Sequence, residues 1–559
     1  MTPKHSPSER VPWKDTPMQR SVARRAALVL SLGLAAAAPI SALASSHKTA
    51  APASFKAYTV LAGNNKVATG GEPSIGFDAK RHAIMYGASG HETRMTFKDT
   101  PRGTSLTQKD VSAPTAQTTL DAITFTDKYT GRTFDSQLLG ACSAMSYSDD
   151  AGTNWTPTSG CGQNTLLDHQ SVGGGPFHAP IPANASPVYP DAVYYCAQNG
   201  FNATCAVSLD GGLTFGPGQY ISDTPANDPT DPNPTFAAEG GACSGLHGHV
   251  RVGPNGTAYV PLKGCGGTPT ANNLTNSEFF GGAPAVSVSK DNGTTWTVHM
   301  VPGAHNQDES DNAIDVDKGG RLWMTWQDGT NPDINSYGTS SSERVAYSDD
   351  EGTHWSKPVD LSTMVGVHNV QFPEIIAGDK GRVAVSFIGT NAIGNDQHKG
   401  FLGPDKLPAV WHLYVSLTYD NGKHWTTIDT TPKDPVHRGC VHMVGLSNKT
   451  VQDADLCPDS QRNMLDFNDI TMDDQGRVYV AYTDGCTGNC VTDPTRLNPS
   501  DVDMVMRLQA GKGLIAKYDG KLGRVPSGSR GYPASGVFVL PLLANAAVLS
   551  RRGPHSRRR

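Results

Sequence analysis

The chain has 559 residues, of which 37% are hydrophobic and 18% charged, with a formal net charge of -6. A mildly acidic balance argues against a nucleic-acid surface, and without a Rossmann glycine pattern or a P-loop no nucleotide site is expected. Gly (60) and Pro (39) are abundant and no long stretch repeats leucine at helical spacing. An all-β, turn-rich architecture follows, either as several domains or as one large repeat fold.

In chain order, Arg20, Arg24 and Arg25 precede an apolar run from Ala26 to about Leu43, closed by Ala42-Leu43-Ala44 before Ser45. This is the charge, core and cleavage site of a secretory signal over residues 1–44, with Met18 as an alternative start. Secretion to the extracellular space is therefore expected. Residues 45–71 read as a lead-in to the folded part, residues 72–520.

Within 72–520 one motif recurs. It reads Ser148-Asp149-Asp150-Ala151-Gly152-Thr153-Asn154-Trp155 at its first clear copy, and returns at Ser208–Phe215, Ser289–Trp296, Ser348–Trp355 and Thr418–Trp425. The Ser and Asp side chains tie down a tight turn, Gly supplies a positive φ, and the aromatic drops into the next strand. A second repeat lies upstream of each copy: an apolar strand, a turn of the type D-x-x-G-R, and another apolar strand. Clear examples run from Ile314 to Met324 and from Ile470 to Val480, and weaker ones begin at Ile75, Ile123, Val172, Val250 and Ile375.

The S-x-D-x-G-x-[TS]-W pattern resembles the Asp box of sialidases and other BNR-repeat proteins. The resemblance implies a single β-propeller of four-stranded antiparallel blades, with each box joining the third and fourth strands on the face away from the ligand site. The inner hairpins number seven, so seven blades are expected. Six, as in sialidases, is the alternative if Tyr58-Thr59-Val60-Leu61 or the first hairpin completes another blade. Sialidases also carry an early Arg-Ile-Pro motif, three arginines that grip the substrate carboxylate, and a tyrosine nucleophile. Here Glu72-Pro73-Ser74-Ile75 stands in the comparable strand, and Arg321, Arg382 and Arg477 fall in turns of the box face. The resemblance thus brings a fold but no catalytic residue.

Ten cysteines fall as neighbours: Cys142/Cys161, Cys196/Cys205, Cys243/Cys265, Cys440/Cys457 and Cys486/Cys490. Local disulfides in an oxidising compartment are expected, and no zinc-finger spacing occurs. Propeller geometry puts all of them on the face opposite the boxes, together with the long inserts 221–245, 263–284, 389–410 and 428–466. After about Tyr518 comes a linker and then an apolar and basic tail, residues 521–559. The apolar run Val537 to Leu549 is too short for an ordinary membrane span, and either attaches the protein to a cell surface or forms a plain tail.

Residues that open the innermost strands, aligned on the following apolar residue, are Glu72, Asp121, His169, His247 with His249, Asp311, Glu374 and Asp469. They form an expected ring of carboxylates and histidines, with no arginine, around the axis. Paired carboxylates suit general acid/base hydrolysis of a glycoside, because crowding raises the pKa of one member. A glycan or glycoconjugate ligand, neutral or cationic, is expected, and the protein is read as a monomer. No cofactor is required, although such a ring would suit a bound calcium ion. Three functions compete: a glycoside hydrolase, a non-catalytic glycan- or protein-binding propeller, and a metal-dependent hydrolase built on His169, His247 and His249.

Overall fold

The computed structural model describes residues 52–522 except 101–102, 117–118, 120, 141, 161–166, 200–201, 223–242, 244–246, 266–282, 306–309, 330–339, 395–400, 442–462, 494–497, 499 and 521. The expected signal and tail, Cys161, Cys457 and most of the long inserts lie outside the described residues.

Seven antiparallel sheets follow one another around a β-propeller. The innermost strands, in order, are Ser74–Asp78, Ala122–Thr126, Leu167–Pro176, Arg251–Val252, Ala313–Val316, Asn369–Ala377 and Asp469–Met472. Each contains or directly follows one of the apolar residues that mark the inner hairpins in the sequence. The seventh blade closes the ring in a way the sequence left open. Its outer strand is Ser54–Thr59, paired with Val502–Ala510 in the register Phe55↔Leu508 and Tyr58↔Val505. Tyr58 therefore completes the seventh blade rather than adding to the count. The missing turn motif in that blade has the same cause, since its third and fourth strands come from opposite ends of the chain.

The five turns join third to fourth strands in blades two to six, and they share one hydrogen-bond scheme. The first hydroxyl accepts from the glycine N–H in each, at 2.8 Å for Ser148, 2.7 Å for Ser208, 2.9 Å for Ser289, 2.8 Å for Ser348 and 3.2 Å for Thr418. The aspartate two residues on accepts from the backbone N–H four residues beyond it. The same face carries the first-to-second turns. Arg132 forks onto Asp149 and lies 4.0 Å over the Tyr147 ring, while Arg321 forks onto Asp349 and lies 3.8 Å over Tyr347. Arg382 pairs with Asp519 and Arg477 with Asp99. These arginines are bound within the box face and do not reach the opposite one.

Between blades, apolar faces interlock. Trp323, Trp326 and Trp411 are fully buried, and Trp323 meets Trp425 edge-on at 6.2 Å. Burial of such side chains contributes about 1.5–3 kcal/mol each. Polar side chains of the innermost strands also bridge blades: the N–H of Ile75 donates to Asp469 Oδ2 (2.8 Å), that of Thr124 to Ser74 Oγ (2.6 Å) and that of Val250 to Ser171 Oγ (2.8 Å). On the face opposite the turns, disulfides join Cys196–Cys205, Cys243–Cys265 and Cys486–Cys490. Cys142 and Cys440 are also disulfide-bonded. No helix among the described residues is long and apolar enough to cross a membrane.

Candidate functional site

Residues two apart on a strand share a face. In blade four His247 and His249 line one cavity, and Arg251, two residues further on, meets the same carboxyl groups as His249. Seven of the eight residues expected to form one ring fall into an upper group and a lower group that share His249, and Glu72 joins neither.

The upper group surrounds a cavity of ≈ 10 Å³, lined by Asp121, His169, His247, His249 and Asp311 together with Gln170 and Phe467. His169 Nδ1 lies 3.4 Å from Asp311 Oδ2, and the Phe467 ring meets His249 edge-on at 5.1 Å. His169 owes its position to an irregularity between Asp168 and Ser171 that leaves its φ at 43°. A left-handed histidine costs of order 1–3 kcal/mol and persists only where its surroundings hold it. Here Gln170 anchors the segment, donating to the Asp121 carbonyl at 2.6 Å and accepting from the Ser136 and Ser143 hydroxyls. Blade six repeats the device, with Phe372 at φ 56° beside an irregularity between Gln371 and Glu374.

The lower group is His249, Glu374 and Asp469, whose ligand atoms come within 4.8 Å of one another. His249 Nδ1 lies 3.8 Å from Glu374 Oε1 and 3.7 Å from Asp469 Oδ1. Arg251, absent from the expected ring, reaches the same pair, with Nη2 3.5 Å from Asp469 and 4.0 Å from Glu374. It was missed because the alignment stopped at the first apolar residue, one step above it on the strand. Its guanidinium brings a positive charge to the two carboxyl groups. Asp469 also has a structural duty, since Oδ1 accepts from its own chain at Ile470 and Oδ2 from Ile75 of blade one. Glu72 stands apart: it is buried at φ 52°, its N–H faces the Met464 carbonyl at 3.3 Å, and it does not line the cavity.

Electrostatics separates these carboxyls. Burial, and then the Asp469 charge, push Glu374 well above the usual carboxyl range, against the pull of Arg251. Burial also opposes ionisation of Asp469, but His249, Arg251 and the Ile75 N–H more than offset it and hold that carboxylate below its ordinary value. For Asp311 the burial penalty is outweighed by His169, Lys263 and His247, and its pKa is likewise lowered. Lys263, not visible as a site residue in the sequence, is fully buried and donates to the Ser310 carbonyl at 2.9 Å. Burial drives the His247 imidazole down to about 4, so at neutral pH it is uncharged. The site thus brings together one carboxyl pushed up, two held down and an imidazole that is uncharged at neutral pH.

No known family model matches the chain, and no curated protein matches it in sequence. Among solved structures it is similar to the polysaccharide lyase Uly1, at 9% identity and a TM-score of 0.40, over 82% of this chain and 92% of that one. It is also similar to a Trypanosoma rangeli sialidase mutant displaying trans-sialidase activity (11%, TM-score 0.31), over 82% of this chain and 59% of that one. A third is the intramolecular trans-sialidase from Ruminococcus gnavus (12%, TM-score 0.32), over 79% and 94%. Likenesses of this strength assign neither chemistry nor substrate.

Proposed function

We propose that the protein is an exported, sialidase-like propeller of the Asp-box type that hydrolyses a glycosidic bond at the mouth of its axial channel. The feature that carries this reading is the divergence of carboxyl groups brought together at the axis: burial and the Asp469 charge push Glu374 up, while His249, Arg251 and His169 hold Asp469 and Asp311 down. Groups driven apart in this way divide into a proton donor and a base at neutral pH. Glu374 is only 3% exposed, so its proton would pass to the leaving-group oxygen by way of His249, which lines the cavity with Nδ1 3.8 Å from Glu374 Oε1 and must close that gap in the substrate complex. The carboxylates favour a neutral or cationic glycan over a sialoside. The test is a fluorogenic glycoside panel, sialoside included. Turnover of a neutral or cationic glycoside that Glu374→Gln abolishes without lowering Tm supports the reading. Turnover that survives the substitution sinks this assignment of the acid.

A cavity of ≈ 10 Å³ accepts a water molecule and not a sugar ring. This favours a second reading, a glycan-binding propeller without turnover. Saturable binding on a glycan array, with no product from any panel member, would select it.

A further inference from the structure

We propose that Asp311 and His247 hold the hydrolytic water in the axial cavity, with Asp311 as the general base. This rests on the hydrolase reading and supplies the half of the reaction that Glu374 and His249 do not. The two residues open adjacent blades and line the same cavity. Asp311 uses Oδ2 toward His169, while its Oδ1 is buried with no hydrogen-bond partner among the described residues. His247 Nδ1 lies 2.9 Å from the Gly248 carbonyl, so Nδ1 carries the proton and Nε2 carries a lone pair. That Nε2 is also buried and without a hydrogen-bond partner among the described residues.

Two buried acceptors on one small cavity call for a single species with two donors, since each acceptor left unsatisfied costs about 1–3 kcal/mol. A space of ≈ 10 Å³ is on the scale of one water and too small for a larger donor. A metal ion could also bind lone pairs, and among the described residues the group of three or more His, Cys, Asp or Glu side chains placed to hold one is His249, Glu374 and Asp469. Asp311 and His247 lie outside that group, and an ion coordinated at their two acceptors is the alternative that the crystal structure below tests.

The reaction then balances. The water oxygen bonds to the anomeric carbon as the bond from that carbon to the leaving oxygen breaks. The water proton passes to Asp311 Oδ1, and the leaving oxygen takes a proton from His249, which Glu374 replaces. Direct displacement by water in a single step inverts the anomeric configuration.

Two measurements decide the matter. A high-resolution crystal structure of the wild-type protein, grown with a chelator, should show a water within hydrogen-bond distance of both Asp311 Oδ1 and His247 Nε2. A coordinated ion, or a pair of side chains that satisfy each other, overturns the proposal. With a panel substrate, NMR of the first-formed product should show inversion. Asp311→Asn should lose turnover by at least about 100-fold at unchanged Tm, and azide should restore turnover to Asp311→Ala with formation of the inverted glycosyl azide. Retention of configuration removes the water–base assignment while leaving the hydrolase standing. Absence of turnover from the wild-type protein removes both.

Discussion

Asp484 ends the second strand of the seventh blade, next to the Cys486–Cys490 loop, and is 4% exposed. Burial, aided by Asp434, pushes its carboxyl up to about 8, despite the hydrogen bond from the Cys486 N–H to Oδ1. A carboxyl raised on folding stays protonated in the native state while the unfolded chain releases its proton above about pH 4. Stability from this group is therefore greatest below pH 4, falls as pH rises, and levels off near 8. At pH 7 the interval is about 3 pH units, and at about 1.4 kcal/mol per unit the burden is about 4 kcal/mol. Asp484→Asn preserves the acceptor for Cys486 and removes the titration. For a chain of this size roughly 1 kcal/mol moves Tm by about one degree, so the variant should melt about 4 °C above wild type at pH 7–8. At pH 4 the two should coincide. Calorimetry at four pH values from 4 to 8 measures this. A difference independent of pH, or a wild-type protein more stable at pH 8, would refute the reasoning.

Asp469→Asn should behave differently, because both carboxylate oxygens accept backbone N–H groups, one from Ile470 and one from Ile75 of the next blade. The amide turns one of those acceptors into a donor, and a loss of about 1–3 kcal/mol is expected in denaturant melts, whereas an unchanged midpoint would deny the residue its role in closing the ring. Gly256 has φ 87°, and a Cβ there would sit 2.3 Å from the His178 nitrogen and 2.4 Å from the Phe177 carbonyl carbon. Gly256→Ala should cost at least about 2 kcal/mol, seen as a lowered urea midpoint, and a neutral result would contradict the close approach of blade three to this turn.

The propeller could be read in the sequence because two short-range signals repeat along it: the apolar hairpin in all seven blades, and in blades two to six the Ser/Asp/Gly turn that closes on itself within five residues. Both depend on contacts only a few residues apart, as the repeated bond from the glycine N–H to the serine or threonine hydroxyl shows. The local disulfides were legible for the same reason, Cys196 and Cys205 being direct partners across a hairpin. The role of Ser54–Thr59 was not legible, because its partner strand lies at the far end of the fold.

At the axis, the sequence alone determined which residue types open each innermost strand, and so that carboxylates and histidines would meet there. The tertiary structure alone decided their depth, their partners and their charge. A slip of one residue at a strand start, as at His169 and Phe372, changes where a side chain points. That choice placed Glu374 beside Asp469 and Arg251, left Glu72 outside the cavity, and set Asp311 against His169. The physical reason is one of range: turns and hairpins are set by bonds between near neighbours in the chain, whereas the ionisation of a carboxyl depends on burial and on charges brought from other blades.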